Sequence, residues 1–260
     1  MEEIKFVNYQ VANRVATITL NRPEKRNALN ATVVTELKHA FSKAAEDNEA
    51  KVIVLAAEGD AFCAGADLAY LQELHTNSYE ENVADSSHLK ELFYQIYTHP
   101  KVIIARIQGH AIAGGCGLAT VCDLSIAAEE AKFGYTEVRI GFIPAIVKVF
   151  LLRKIGEGKS KELLLTGDLI SAQEAKDFGL INRVVAADEL DEAVNALAQK
   201  LVVKNSGQSM TLTKQMIAEV QAMSLEEGLQ HAAEQNAKAR ATQDCQKGIT
   251  AFLNKEKPSW

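Results

Sequence analysis

Two segments of this 260-residue chain combine very small side chains with a position at the start of a predicted helix. They are residues 62–68 (FCAGADL) and residues 109–118 (GHAIAGGCGL), and each follows an apolar, strand-like run. The first N–H groups of a helix have no partner inside it and carry the positive end of its dipole. Two such groups converging on one oxygen would form an oxyanion hole. Small residues also suit tight helix–strand packing, and either loop taken alone fits both interpretations equally well.

A carboxylate among apolar residues is the third candidate. Glu137 stands in residues 133–144 (FGYTEVRIGFIP). Burial raises the pKa of a carboxyl group, so that it can act as an acid or a base near neutral pH. The alternatives are a solvated glutamate or a surface ion pair with Arg139.

Other sites are disfavoured by the spacing of their residues. The run Gly115-Cys116-Gly117 followed by Glu137 is similar to a dinucleotide fingerprint, but Thr120 stands where a third small residue is needed. The six histidines show no metal-ligand spacing, so that no metal site is predicted. A nucleophile elbow and a phosphate-binding P-loop are absent from the sequence.

Charge, cysteines and hydropathy restrict the class of protein. The net charge is −6 without a basic stripe, which argues against nucleic acid as a partner. The four cysteines form no CxxC pair, which favours buried reduced thiols and a reducing compartment. The first five residues, MEEIK, lack the apolar stretch of a signal peptide, and the sequence has no membrane-length apolar run. These features predict a cytoplasmic protein.

Alternating strand and helix patterns predict an α/β core followed by helices. Residues 76–87 are polar and aperiodic and are predicted to form a mobile loop or lid. Ser171 with Glu174, and Ser224 with Glu227, are predicted capping boxes, and Gly179 is a predicted helix C-cap. Strands are predicted at 15–20, 51–57, 102–107, 124–127, around Phe133 and at 180–185, and helices from 31 and at 67–74, 89–97, 114–121, 188–203, 224–241 and 244–255.

These segments together resemble the crotonase (enoyl-coenzyme A hydratase/isomerase) family. The matching stretches are residues 21–30, 62–68, 109–118 with Cys122-Asp123, 133–144, 165–175 and 248–255, spread over nearly the whole chain. The resemblance implies an α/β, crotonase-like spiral of ββα turns with a helical C-terminal region. Residues 1–195 would form the spiral core with the acyl-coenzyme A site, and residues 196–260 would form a trimerisation region. A homotrimer or a dimer of trimers is expected.

The resemblance also implies a site. Ala66 and Gly114 would supply the two N–H groups, and Glu137 would move the proton. Coenzyme A would be part of the substrate, so that no separate cofactor is expected. Its adenine would contact the backbone of Ala64 and Leu68. The substrate-binding residues implied by the resemblance are Arg26, Ala28, Ala64, Gly65, Ala66, Asp67, Leu68, Gly114, Phe252 and Lys255.

One position departs from the hydratase pattern. Hydratases of this family commonly use two glutamates, and the first of the two positions is Gly117 here. Residues 136–145 with Gly117 are similar to bacterial methylglutaconyl-coenzyme A hydratases, which favours that activity. The alternatives are a Δ3,Δ2-enoyl isomerase that uses Glu137 alone, and a non-catalytic acyl-coenzyme A binding protein. Lys148 or Arg139 could face a distal carboxylate of the substrate, although a solvated helix lysine is the commoner role.

Overall fold

The computed structural model describes residues 5–260. Residues 1–4, which belong to the predicted spiral core and to the N-terminal stretch discussed above, lie outside the described residues. Within that part, ten strands form two sheets. They are β1 (Val7–Ala12), β2 (Val15–Leu20), β3 (Val52–Ala57), β4 (Ala61–Cys63), β5 (Val102–Ile107), β6 (His110–Ile112), β7 (Leu124–Ala128), β8 (Lys132–Gly134), β9 (Ile170–Ser171) and β10 (Arg183–Val185).

The two sheets explain how one chain brings several loops to one place. The larger sheet has the order β1-β2-β3-β5-β7-β10, in which β1 is antiparallel to β2 and the other pairs are parallel. The smaller sheet has the order β4-β6-β8-β9, in which β4, β6 and β8 are parallel. The strand pairs β3–β4, β5–β6 and β7–β8 each add one strand to the large sheet and then one to the small sheet. The loops that leave β4, β6 and β8 therefore emerge at the same edge.

The described residues also form ten α-helices, some of which cover the two faces of the larger sheet. The helices are α1 (Ala31–Glu46), α2 (Leu68–Leu74), α3 (Tyr79–Thr98), α4 (Gly114–Val121), α5 (Val147–Thr166), α6 (Ala172–Asp177), α7 (Leu190–Lys204), α8 (Gly207–Val220), α9 (Leu225–Arg240) and α10 (Gln243–Leu253). The six residues of β3 are all buried, because α1 lies in the core on one face and α7 packs on the other. The predicted spiral of ββα turns with a helical C-terminal region is confirmed.

Both predicted capping boxes are confirmed, at the start of α6 and of α9. A third one had not been recognised. The hydroxyl of Ser78 accepts from the Glu81 N–H, and the Glu81 carboxylate accepts from the Ser78 N–H, so that α3 begins at Tyr79. The prediction of a loop or lid at 76–87 is therefore wrong from Tyr79 onward. The first half of α3 buries no residue, so that its sequence carries no apolar periodicity to reveal a helix.

The other elements agree with prediction apart from omissions, which include the short strands β4, β6 and β9. Strand β1 was missed although Val7, Tyr9 and Val11 alternate with Asn8 and Gln10. In this short edge strand only Val7 is buried, so that the apolar signal is weak. Helices α5 and α8 were not specified as separate elements. Strand β10 is limited to Arg183–Val185, and Gly179 follows the end of α6 with a φ of 78°.

The C-terminal helices are tied to the core by a charge pair. Lys214 of α8 donates to Asp123 between α4 and β7, over 2.7 Å. The predicted division at residue 195 falls inside α7, which packs on the large sheet, and it stays a prediction. Within residues 5–260, no helix is both long and apolar enough to cross a membrane.

Candidate functional site

The two small-residue loops contact each other at Gly65 and Gly114. Parallel pairing of β4 with β6 places the ends of these strands side by side. A methyl group on Gly65 would lie 2.9 Å from Ala113 Cβ, 3.0 Å from the Ile112 carbonyl oxygen and 3.4 Å from the Gly114 nitrogen. The φ of Gly65 is 89°. Glycine is therefore required at residue 65 both by its backbone conformation and by the close approach of the second loop.

The N–H groups of Ala66 and Gly114 are left without acceptors while their neighbours are paired. The N–H of Leu29 donates to Gly65, the N–H of Asp67 donates to Leu29, and the N–H of Ala113 donates to Gly134. Among residues 5–260, no acceptor contacts the N–H of Ala66 or that of Gly114. Ala66 is exposed and Gly114 is half-buried. Both N–H groups are thus available to an oxygen from outside.

Ala113, which immediately precedes Gly114, has an unusual backbone. Its φ is 51° and its ψ is −121°, a conformation that residues with a side chain rarely adopt. Its N–H bond to the Gly134 carbonyl, over 2.8 Å, joins this strained turn to the end of β8. Such strain is common where a backbone group must be aimed at a ligand. Here it sets the direction of the first N–H of α4.

Glu137 lies next to this pair of loops. It is the first residue of a 3-10 helix, Glu137–Ile140, that follows β8, and β8 pairs with β6. The carboxylate is half-buried, and its Oε2 atom is buried without a hydrogen-bond partner among the described residues. Burial raises the pKa of Glu137 above the ordinary value of a glutamate. The alternative surface pair does not form, because Arg139 pairs with Asp168.

Asn27 holds a third loop, residues 22–28, against the segment that leads into the first loop. Its Oδ1 atom accepts from the N–H of Arg22 over 2.9 Å, and its Nδ2 atom donates to the carbonyls of Glu58 and Ala61 over 2.8 Å each. Asn27 is buried with a φ of 55°. Asn27 lies within the matching stretch 21–30, and no role is predicted for it from the sequence. Hydrogen bonds between a buried side-chain amide and distant carbonyl groups leave no periodic pattern in a single sequence, so that the sequence does not predict them.

Asp67 is occupied within the protein. Its carboxylate accepts from the N–H of Ala69 as the N-cap of α2 and pairs with Arg22 over 2.6 Å. The N–H of Ala64 donates to the Arg26 carbonyl. Ala28 is buried, whereas Arg26 and Leu68 are exposed. The structure thus brings together the predicted residues of 22–28 and 62–68, and their contacts with coenzyme A stay predictions.

The remaining predicted residues lie on or just after α10, on α5, or further along α4. Phe252 and Lys255 are exposed, on α10 and just after it, and α10 packs on α8 and α9. Lys148 is exposed in the first turn of α5. Gly117 is buried inside α4 against Val147 of α5 and Phe93 of α3.

The buried cysteines are not nucleophiles. Burial raises the pKa of Cys63, Cys116 and Cys122 to about 12, so that each thiol is protonated at neutral pH. Among the described residues, the site therefore has Glu137 and free backbone N–H groups as its chemical groups. This arrangement can polarise a carbonyl oxygen and move a proton beside it.

Comparisons with known proteins agree with this chemistry. The sequence model of the family described as enoyl-CoA hydratase/isomerase matches residues 10–260. A putative enoyl-CoA hydratase of Thermus thermophilus is 44% identical over 94% of this chain and 96% of its own length. A crotonyl-CoA hydratase of Syntrophomonas wolfei is 36% identical over 95% and 94%. The crystal structure of a putative enoyl CoA hydratase/isomerase (crotonase) from Legionella pneumophila superposes with a TM-score of 0.89 at 35% identity, over 98% and 99% of the chains.

Proposed function

The chain belongs to the enoyl-CoA hydratase/isomerase family, and we propose that it adds water to the double bond of an enoyl-coenzyme A thioester. One observation carries the proposal: two free N–H groups, of Ala66 and Gly114, stand where two loops touch, beside a half-buried Glu137 with an unpartnered oxygen. The charge that develops during hydration sits on the thioester oxygen, which is the kind of atom that such N–H groups bind.

The reaction then follows from the charges. The N–H groups of Ala66 and Gly114 bind the thioester oxygen, and each such donor typically stabilises the transition state by ~3 kcal/mol. Glu137, as a carboxylate, takes a proton from water while the water oxygen bonds to the β-carbon. The electron pair of the double bond moves to give an enolate on the thioester oxygen. Glu137 then gives the proton to the α-carbon, which restores the thioester and the carboxylate.

The proposed substrate is 3-methylglutaconyl-coenzyme A or a similar branched thioester. Residues 136–145 with Gly117 support this proposal by resemblance. Lys148 is an exposed cation at the start of α5, which packs on the 3-10 helix that begins at Glu137. Coenzyme A enters as part of the substrate, without a separate cofactor. A trimer or a dimer of trimers in the cytoplasm is the proposed context, without nucleic acid or membrane as partners.

A specific observation favours a second candidate. Gly117 leaves α4 without the second glutamate of common hydratases. A single carboxylate is enough to move a proton from one carbon to another, which is the chemistry of a Δ3,Δ2-enoyl-coenzyme A isomerase. A protein that binds acyl-coenzyme A without turnover is the third possibility.

Turnover of three thioesters separates these functions. Crotonyl, 3-hexenoyl and 3-methylglutaconyl-coenzyme A are offered to the wild-type protein and to Glu137→Gln. The hydratase proposal expects hydration of the branched dicarboxylic thioester, reduced by about 10² to 10⁴ in the variant with coenzyme A binding retained. Activity on the 3-hexenoyl compound alone would identify an isomerase. Coenzyme A binding without turnover of any of them would contradict both enzymatic functions.

A further inference from the structure

Gly117 is closed off by side chains. It lies one turn after Gly114 in α4, where glycine is a poor helix former. A Cβ atom at residue 117 would lie 2.3 Å from Cγ1 and 3.0 Å from Cβ of Val147, and 2.9 Å from Cε1 of Phe93. A side chain at residue 117 therefore has no room unless Val147 or Phe93 moves.

The nature of this obstruction differs from that at the neighbouring Gly115. A Cβ atom at residue 115 would lie 2.1 Å from the carbonyl oxygen of Cys63, so that the backbone itself excludes it. At residue 117 the excluding atoms belong to side chains, which a substitution can remove. Phe93 is fully buried and its ring lies 6.0 Å from that of Phe150, which holds it in place. Val147 is thus the adjustable part of the obstruction.

The position of Val147 relates it to Glu137. Val147 is the first residue of α5, and α5 packs both on α4 and on the 3-10 helix that begins at Glu137. Val147 is buried, with an apolar side chain that offers no group to bind water or a proton. The side chains that face α4 at Gly117, one turn after Gly114, are consequently apolar.

We infer that Val147 is a specificity-determining residue. Its side chain, together with that of Phe93, fills the space that a carboxylate side chain at residue 117 would need. The site therefore works with the carboxylate of Glu137 and without a second one on α4. This inference rests on the proposed function in that the acyl group is taken to lie beside α4. It implies that the acyl group meets an apolar wall there, and that any distal polar group of the substrate points away from α4. It also implies that a carboxylate can be added to α4 only if Val147 is reduced in size.

Packing is tested with Gly117→Ala, Val147→Ala and the double variant. Gly117→Ala is expected to lower the Tm by about 5 °C because of overpacking. Val147→Ala lowers the Tm by leaving a cavity, and the double variant is expected to be more stable than the sum of the two changes predicts. Val149→Ala is the matched control, because Val149 is exposed on the same helix. Its Tm is expected to stay within about 2 °C of the wild type. Additive Tm changes at 117 and 147 would contradict the inference.

Function is tested with Gly117→Glu alone and together with Val147→Ala. The double variant is expected to hydrate crotonyl-coenzyme A at least about tenfold faster than Val147→Ala alone. Gly117→Glu alone is expected to lose stability without this gain. A gain in Gly117→Glu alone, or a folded double variant that binds coenzyme A without a gain, would overturn the inference. If the double variant does not fold, the Tm comparison of the alanine variants still decides the packing.

A different experimental result would contradict the proposed function. If the wild-type protein hydrates none of the thioesters, hydration is not its activity. The Tm comparison at residues 117 and 147 does not depend on that result. The two failures are therefore distinguishable.

Discussion

Arg22 Nη1 lies 2.6 Å from Asp67 Oδ2, and only 12% and 8% of the two side chains are exposed. The pair joins the loop at residues 22–28 to the start of α2. Although burial opposes ionisation, the hydrogen bond from Arg22 holds the pKa of Asp67 below its usual value. Because Asp67 immediately follows Ala66, this ion pair fixes the turn that carries one of the two free N–H groups.

Removal of Arg22 should therefore impair both stability and the site. Arg22→Met leaves the carboxylate of Asp67 buried without its counter-charge, which typically costs ~3–5 kcal/mol. We expect a large fall in Tm and a loss of turnover with the thioester that the wild type uses best. Arg106→Met is the matched control, because Arg106 pairs with an Asp191 that is 77% exposed, and such pairs contribute ~0–1 kcal/mol. Equal effects of the two variants would contradict the role of the Arg22–Asp67 pair. Asp67→Asn added to Arg22→Met should recover part of the stability.

The contact between the loops predicts a specific sensitivity at Gly65. Gly65→Ala places a methyl group 2.9 Å from Ala113 Cβ and requires a φ of 89° from a residue with a side chain. The loops must separate, so that the N–H groups of Ala66 and Gly114 no longer bind one oxygen together as the proposed mechanism requires. We expect turnover to fall by about 10² to 10³, the usual cost of losing one donor of an oxyanion hole.

Gly179→Ala is the matched control for Gly65→Ala. Its φ is 78°, but nothing lies within 4 Å of the added methyl group. It should lower the Tm through backbone strain and leave turnover unchanged. If Gly65→Ala lowers the Tm as Gly179→Ala does and turns over at the wild-type rate, the convergence of the two N–H groups is not required.

These two loops also show what the sequence could predict. The small residues around Gly65 and Gly114, each after an apolar strand, fit either ligand-binding N–H groups or tight packing, and the family resemblance favours the first. The spiral of ββα turns was implied by the resemblance and is confirmed. What a single sequence could not reveal is which side chains meet across elements, such as Asn27 with the Ala61 carbonyl or Val147 with Gly117. Those contacts depend on tertiary packing, which leaves no periodic signal along the chain.

A buried histidine predicts loss of stability in mild acid. His99 Nε2 lies 3.0 Å from the Phe41 carbonyl, and His99 Nδ1 accepts from the Lys101 N–H over 3.0 Å, which suits the neutral ring. Burial lowers the pKa of His99 to about 4. A base whose pKa is lowered in the folded state contributes stability at pH values above its unfolded-state pKa, near 6.5. That stability is lost as the pH falls towards the folded-state pKa.

The Tm should accordingly fall between pH 6.5 and pH 4, with His99 contributing at most ~3 kcal/mol. His99→Gln should be less stable than the wild type at pH 7 and show a shallower fall in Tm over that range. His39→Gln is the control, because His39 is exposed on α1. Parallel pH profiles of the wild type and His99→Gln would exclude His99 as the cause.

Burial of Glu137 has two consequences with opposite pH dependence. Burial raises the pKa of Glu137, so that the acidic limb of the turnover profile should lie above the ordinary glutamate pKa of ~4.3.

The stability of the fold should change with pH in the opposite sense. A carboxyl group with a raised pKa in the folded state favours folding below its unfolded-state pKa, and that contribution is lost as the pH rises through the folded-state pKa. Glu137→Gln should therefore be more stable than the wild type at pH 8, and the difference should shrink towards pH 4. Glu130→Gln, at an exposed glutamate, should show no such trend. The Tm difference between Glu137→Gln and the wild type could instead be the same at pH 4 and pH 8. In that case burial does not destabilise the carboxylate. Glu137 would then lack the raised pKa that suits it to move a proton near neutral pH.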